Sequence, residues 1–286
     1  MSFEVVSNLP FEDYLARPEF GSGAFKAINR SPKKFHWDYI LKNEKEMSED
    51  LDFGKIVHSA LLEPEDFKTR FIVQPKFDKR TKEGKRAYQE WTDTLPPNAM
   101  VVSEERAQDL TGMIESIKRH KRASDLLCRG ESEVSIFGNC DDVPVKGRLD
   151  FLVTDSDASK KPTGIYIVDV KTTQDAAFRA FNASMLRYSY WIQAGLYSWL
   201  AERAFNLPVI FVFLAVEKKP PYEVGLYVAD ETVIDCGREA VRRGIKTYKE
   251  CKQTNIWPGI CEDFKTLSMP ESMMNDYVST EEEPNE

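Results

Sequence analysis

Apolar positions recur at two different periods along this chain, and the switch between them lies near residue 130. In the first part the spacing is three and four residues. The stretch SGAFKAINRSPKKFHWDYIL places Phe25, Ile28, Phe35 and Tyr39 on helical faces, with a break at Ser31-Pro32. DLDFGKIVHSALLEPEDF predicts a second helix that stops at Glu63-Pro64, because proline disfavours helical backbone in the residue before it. SEERAQDLTGMIESIKRHKRASDLL predicts a third. Ser103 is its N-cap, Arg106 stands at the third position, and Leu110, Met113, Ile114 and Ile117 form the apolar stripe.

Beyond residue 131 the period becomes two. ESEVSIFG, VPVKGRLDFLV and GIYIVDVKT are short, rich in Val, Ile, Phe and Tyr, and separated by turn residues, so they predict three sequential strands in a meander. FRAFNASMLRYSYWIQAGLYSWLAERAF predicts one long helix, apolar almost all round, and its aromatic run is read as core. VIFVFLAVE and YEVGLYVA predict two more strands, DETVIDCGREAVRRGIKTYKECKQ a helix, and NIWPGICEDFKTLSMPESMM an irregular end. The expected fold class is α+β, a mixed central sheet flanked by helices with a helical N-terminal part. The boundaries expected are one domain over 1–278 and an acidic disordered tail over 279–286. Within the domain, 1–130 is mainly helical and carries His58, 131–230 holds the sheet and its helix, and 231–278 holds a helix and the irregular segment.

Composition narrows the picture. No apolar run approaches the ~18 residues that a membrane span needs, and the N-terminus has no basic-then-apolar leader, so no membrane partner is expected. The five cysteines fit no disulfide framework and no CxxC metal site, which points to a reducing, cytoplasmic setting. A net charge of −8 argues mildly against nucleic acid. Charge is unevenly spread, however: KFDKRTKEGKR and KRHKR are basic, while KNEKEMSEDLD and the tail are acidic. Each basic run alone reads equally well as a solvated surface.

The chemistry concentrates in GIYIVDVKT. On a strand Ile165, Ile167, Asp169 and Lys171 share one face, while Tyr166, Val168 and Val170 share the other. Asp169 and Lys171 then project together, ~6.6 Å apart at Cα. Asp150, on the strand before, can pair beside Asp169. Two adjacent carboxylates repel unless a cation lies between them, and carboxylate oxygen suits Mg²⁺. A lysine beside such an ion can orient or deprotonate a water, a layout suited to phosphodiester hydrolysis. The competing reading is a surface Asp–Lys ion pair, common for so short a pattern.

The ordered set of segments resembles the PD-(D/E)xK nucleases, and among them the RecE-like exonucleases (the C-terminal nuclease domain of exonuclease VIII). The resemblance rests on EVSI at Glu133, GRLD ending at Asp150, and IVDVKTT around Asp169 and Lys171. It also rests on the FGKIVHSALLEPEDF helix, RFIVQP followed by RTKEGK, the helix pattern Gln193-x₃-Tyr197, FVFL from Phe211, and the closing Trp257-Pro258 and KTLSMP. It covers nearly the whole chain, from about Ser7 to about Tyr277.

This resemblance implies metal ligation by His58 (through a neutral ring nitrogen), Asp150, Asp169, the backbone carbonyl of Val170, and Glu133, with Glu131 as the alternative acid. Lys171 would orient the attacking water, Gln193 and Tyr197 would line the site, and Arg148, Thr172 and Thr173 would contact DNA. Gly54 would let its helix approach the sheet closely. Residue by residue, structural alternatives stand: a core histidine, a carboxylate capping a turn, a polar pair on a packed helix, an arginine paired with an acid, threonines holding a turn.

The implied activity is a Mg²⁺-dependent exodeoxyribonuclease, with Mn²⁺ as the alternative ion. It would degrade linear double-stranded DNA from 5′ to 3′ and leave 3′ strands for a RecT-like single-strand annealing protein. A homotetrameric ring and a bacterial or phage origin go with the family. Cys236, Cys251 and Cys261 are too dispersed for the iron–sulfur cluster of some relatives, so none is expected. The rival readings are a PD-(D/E)xK endonuclease, a 3′-directed exonuclease, and a catalytically decayed DNA-binding recombination module.

Overall fold

A computed structural model describes residues 3–43, 49–96, 99–156, 158–261 and 263–269, and of residues 49–52 the backbone only. The acidic tail over 279–286 lies outside the described residues.

The sheet has six strands in the order β1-β4-β5-β6-β7-β8. Its centre is β4 (Glu131–Cys140), β5 (Val143–Ser156) and β6 (Pro162–Thr173), a meander of antiparallel neighbours as the alternation predicts. β7 (Val209–Glu217) lies parallel to β6 and β8 (Val224–Val228) antiparallel to β7. A parallel neighbour needs a long crossover. Here it is supplied by α9 (Phe178–Arg187) and α10 (Tyr190–Phe205). β1 (Glu4–Val6) adds an edge strand beside β4, and three residues are too few to show a period.

The two faces of β6 behave as its alternation requires. Ile165 and Ile167 join a core with Phe25, Phe211, Leu196 and Ile245, beneath α2 (Ser22–Arg30), α10 and α11 (Glu231–Thr254). Val168 and Val170 join a second core with Val57, Met113 and Leu214, beneath α4 (Glu49–Leu62) and α7 (Glu104–Arg119). α7 begins as expected, with the Ser103 hydroxyl accepting from Arg106 N at 3.2 Å. α4 stops at Leu62, and Pro64 opens α5 (Pro64–Arg70) at a position where its missing N–H costs nothing. After α1 (Phe11–Ala16) and α2, Ser31 breaks the helix and caps α3 (Pro32–Phe35). The remaining short elements are β2 (Phe71–Val73) and β3 (Met100–Val102), which pair in parallel, with α6 (Lys82–Thr92) and α8 (Lys121–Cys128).

One expectation is corrected. Residues 178–205 are two helices, not one. Ser189 adopts the left-handed region at φ 52° between α9 and α10, and the chain turns there. The apolar spacing runs on across the turn, and RYSYW holds no Gly or Pro to mark it. α10 then packs on α11 so closely that a Cβ on Gly237 would come within 2.2 Å of the Trp191 carbonyl oxygen and 2.8 Å of Gly195 Cα.

Candidate active site

The ladder between β5 and β6 ends at the pair Phe151–Val168. One step further, the register sets Asp150 opposite Asp169, and there the strands part. β6 continues only with β7, as far as Thr173, and β5 only with β4. The side chain of Asp150 closes the fork: its Oδ2 accepts from Val170 N–H at 2.7 Å, where a backbone carbonyl would otherwise stand. The site is therefore a split in the sheet, floored by main chain and roofed by helices on both sides.

β4 yields at the same level. Leu149 and Leu152, three apart, pack into one core, while Phe151 and Val153 pack into the other, so strict alternation fails at Asp150. The residue across from it, Glu133, adopts φ 55°, a strained backbone for a non-glycine residue. This turn separates the two acids that plain alternation put on one face. Glu133 lines the cavity and pairs with Arg148 Nε, while Glu131 is exposed and takes the Ser7 hydroxyl at 2.9 Å. Burial, then the charge of Asp150, raises the Glu133 carboxyl above its ordinary value.

α4 brings His58 in from one side. Its Nε2 stands 2.8 Å from the Val170 carbonyl oxygen. A carbonyl only accepts, so Nε2 carries the proton in this arrangement and Nδ1 presents a lone pair. That lone pair points toward Asp150 Oδ2 at 3.4 Å. Burial, then the positive charge of Lys171, pushes the His58 pKa down, so the ring is neutral. Gly54 does not bring this helix closer: an added Cβ would meet only Thr172 Oγ1, at an ordinary 3.7 Å.

α10 supplies the other side. Gln193 Nε2 donates to Asp169 Oδ1 at 2.6 Å, so Gln193 holds the carboxylate. Lys171 Nζ contacts Asp169 Oδ2, and Asp169 is fully buried. Burial works against the Lys171 charge, but Asp169 and Asp150 outweigh it and hold its pKa above the ordinary lysine value. Lys171 is thus a fixed cation. Burial, then Asp169, pushes Asp150 up to about 7. Tyr197 is buried beside the cavity and receives a hydrogen bond from the Arg148 backbone. Gly147 permits this packing, since a Cβ there would lie 2.9 Å from Tyr197 Cδ1.

The three residues expected to meet DNA are in the cavity wall. Arg148 is nearly enclosed, with its guanidinium on Glu133, on Leu9 O at 2.5 Å and 3.7 Å from Glu63. Thr173 Oγ1 donates to Asp175 O at 3.0 Å and so ties the turn after β6, and Thr172 faces α4.

The cavity measures about 1010 Å³ and is also lined by Phe11, Tyr14, Phe181, Tyr188 and Tyr190. Two of these correct the expectation that the aromatic run is core. Tyr188 is 53% exposed, and Tyr190 is a wall of the site with Lys171 Nζ 5.0 Å from its ring centre. Lys26 of α2 approaches the same ring at 5.3 Å. Burial, then Lys171, lowers the Lys26 pKa to about 8. Nothing in SGAFKAINR marks this lysine, because its neighbours Phe25 and Ile28 already explain the helix.

Among the described residues no group of three His, Cys, Asp or Glu is gathered as a finished metal cage. The donor chemistry nevertheless fits a hard divalent ion. Asp169 Oδ2 is buried without a well-formed hydrogen bond, and His58 Nδ1 and Asp150 Oδ2 face each other as two acceptors with nothing between them. Asp150, Asp169 and His58 are the residues that would hold the ion. The Val170 carbonyl is engaged by His58, and Glu133 by Arg148.

The family described as "PDDEXK-like domain of unknown function (DUF3799)" matches residues 21–269. A crystal structure of a "Putative exonuclease" from Eubacterium rectale superposes with a TM-score of 0.63 at 16% identity, covering 96% of this chain and 100% of its own. That likeness is one of fold. No curated protein matches.

Proposed function

This chain belongs to the PDDEXK-like family DUF3799, and from that membership we propose that it is a Mg²⁺-dependent exodeoxyribonuclease acting on linear double-stranded DNA. The observation that carries the reading is the fork. There Asp150, Lys171 and His58 line the base of a cavity large enough for a nucleotide, with the buried Asp169 behind them on Lys171. The proposed polarity is 5′ to 3′, leaving 3′ strands for a RecT-like annealing protein, and the proposed assembly is a homotetrameric ring. Both extend the RecE-like resemblance, and the fold likeness to the "Putative exonuclease" from Eubacterium rectale supports a nuclease scaffold.

A bound divalent ion supplies Lewis-acid polarisation of the phosphoryl oxygen and a more acidic water. The chain's own residues do the rest. Lys171, held charged by Asp169 and Asp150 in the metal-free site, is placed to orient the attacking oxygen and offset charge that develops on the phosphoryl group. Asp169 aims that ammonium and Gln193 fixes Asp169, so three strand and helix positions set one nitrogen. Asp150, whose carboxyl burial and Asp169 raise to about 7 in the metal-free site, would be held ionised by the cation it ligates. Tyr190 closes the wall behind Lys171.

The deciding experiment uses linear duplex DNA labelled at either end beside closed circular DNA, with Mg²⁺ or EDTA, and Asp169→Ala in parallel. Mg²⁺-dependent loss of the linear substrate from its 5′ label, absent in the variant, is the expected result. Nicking of the circle would reassign the chain as an endonuclease, and loss from the 3′ label would reverse the polarity. Digestion unchanged in the variant would remove the site assignment, and none at all would leave a DNA-binding module.

A further inference from the structure

We propose that Tyr188 stacks on the terminal nucleobase of the strand being cut. This rests on the nuclease reading and names the part of the substrate that enters the cavity.

A phosphodiester alone does not account for the cavity. The groups that meet a phosphate lie at the fork, yet the walls extend outward over Phe181, Tyr190 and Tyr188. These rings form a series of stacked and tilted pairs. Phe181 and Tyr227 lie 5.1 Å apart at 19°, Phe181 and Tyr190 6.4 Å apart at 31°, and Tyr190 and Tyr188 5.6 Å apart at 28°. The series begins in the core and ends on a ring that is 53% exposed. Scattered exposed tyrosines need no explanation, but this one ends an ordered pile at the mouth of the site.

Tyr188 is also held, rather than trailing in solvent. Its N–H donates to Ser184 O at 2.9 Å, and Ser189 turns the chain into α10 immediately after it. The surroundings suit a nucleotide: Arg187 lies 5.7 Å from the Tyr188 ring, and Lys171 and Lys26 flank the ring beneath. An aromatic face with cations beside it is how proteins take up unpaired bases without reading their sequence.

The test is a square of two proteins and two ends. Wild type and Tyr188→Ala are given linear duplexes whose terminal nucleotide is natural or abasic, each end modified in turn. Two readouts are kept apart: kcat/KM with Mg²⁺, and equilibrium binding in EDTA by fluorescence anisotropy. Removal of one base–aromatic stack corresponds to a loss of about 5- to 150-fold. Wild type is expected to favour the natural end by that factor. Tyr188→Ala is expected to lose it on the natural end and nothing further on the abasic end, and Tyr188→Trp to restore it. Equal losses on both ends, no loss, or failure of the Trp variant would overturn the proposal. If wild type cleaves no DNA the nuclease reading fails instead, and the binding square still decides whether Tyr188 holds a base.

Discussion

Replacing Asp150 with Asn is expected to stabilise the metal-free protein while abolishing its activity. In the folded state the Asp150 carboxyl lies at about 7 instead of 3.8, because it is buried and because Asp169 stands beside it. A carboxyl whose folded pKa is raised binds more protons folded than unfolded between those two values. Its stability contribution is therefore full below pH ~4, falls as pH rises toward 7, and stays lost above 7. The shift of about 3 units corresponds to on the order of 4 kcal/mol at pH 8. Asparagine keeps an oxygen for the Val170 N–H and carries no charge, so it escapes that loss. For a chain of 286 residues, with ~2.1 cal/mol/K of unfolding entropy per residue, the gain is roughly 7 °C in Tm. The assay is thermal and urea unfolding of both proteins in EDTA from pH 4 to 9. The difference should open between pH 4 and 7 and then stay constant, and Mg²⁺ should narrow it by stabilising wild type alone. A variant no more stable than wild type at pH 8, or a difference that ignores pH, would refute the account of two crowded carboxylates.

Three further outcomes follow from contacts described above. Lys171→Met removes the ammonium that contacts the fully buried Asp169, so it should cost about 3–5 kcal/mol in urea unfolding at pH 8 and at least ~100-fold in kcat; a variant as stable as wild type would refute the pairing. Lys26 is half-buried beside Tyr190 with no carboxylate at ion-pair distance among the described residues, and on the nuclease reading it would meet a DNA phosphate. Lys26→Met should lower the slope of log affinity against log salt by about one, and an unchanged slope would remove it from the DNA path. Gly237→Ala gains ~1 kcal/mol of helix propensity but must push α11 off the Trp191 carbonyl, and should lose a net ~1–3 kcal/mol by urea unfolding; a wild-type midpoint would contradict that packing.

Much of this was legible in the sequence because a strand buried on both sides has little freedom. In GIYIVDVKT the period of two assigned Ile165, Ile167 and Asp169 to one face and Val168 and Val170 to the other, and the two cores take them so. Ser103 and Pro64 act through their own backbone chemistry, which is local and readable. The failures are long-range. Whether Glu131 or Glu133 enters the site depends on a single left-handed residue opposite Asp150, and no pattern along β4 encodes it. The break at Ser189 is hidden because both helices bury the same side and the apolar spacing runs through. Lys26 comes within reach of Tyr190 only because α2 packs against α10 and α11, a contact between segments more than 160 residues apart.

The fork has a consequence for how this protein can be altered. Asp150 and Asp169 stand at one end of the β5–β6 ladder and the turn over 158–161 at the other, with the pairs from Ser156–Pro162 to Phe151–Val168 between them. Those rungs fix the spacing of the two carboxylates as a zip fastener fixes the two halves of its open end, whatever is attached to the closed one. Residues can be inserted at the hairpin tip, or a fluorophore tethered there, without changing which aspartate faces which. A deletion of one residue within either strand would turn every later side chain over and empty the fork.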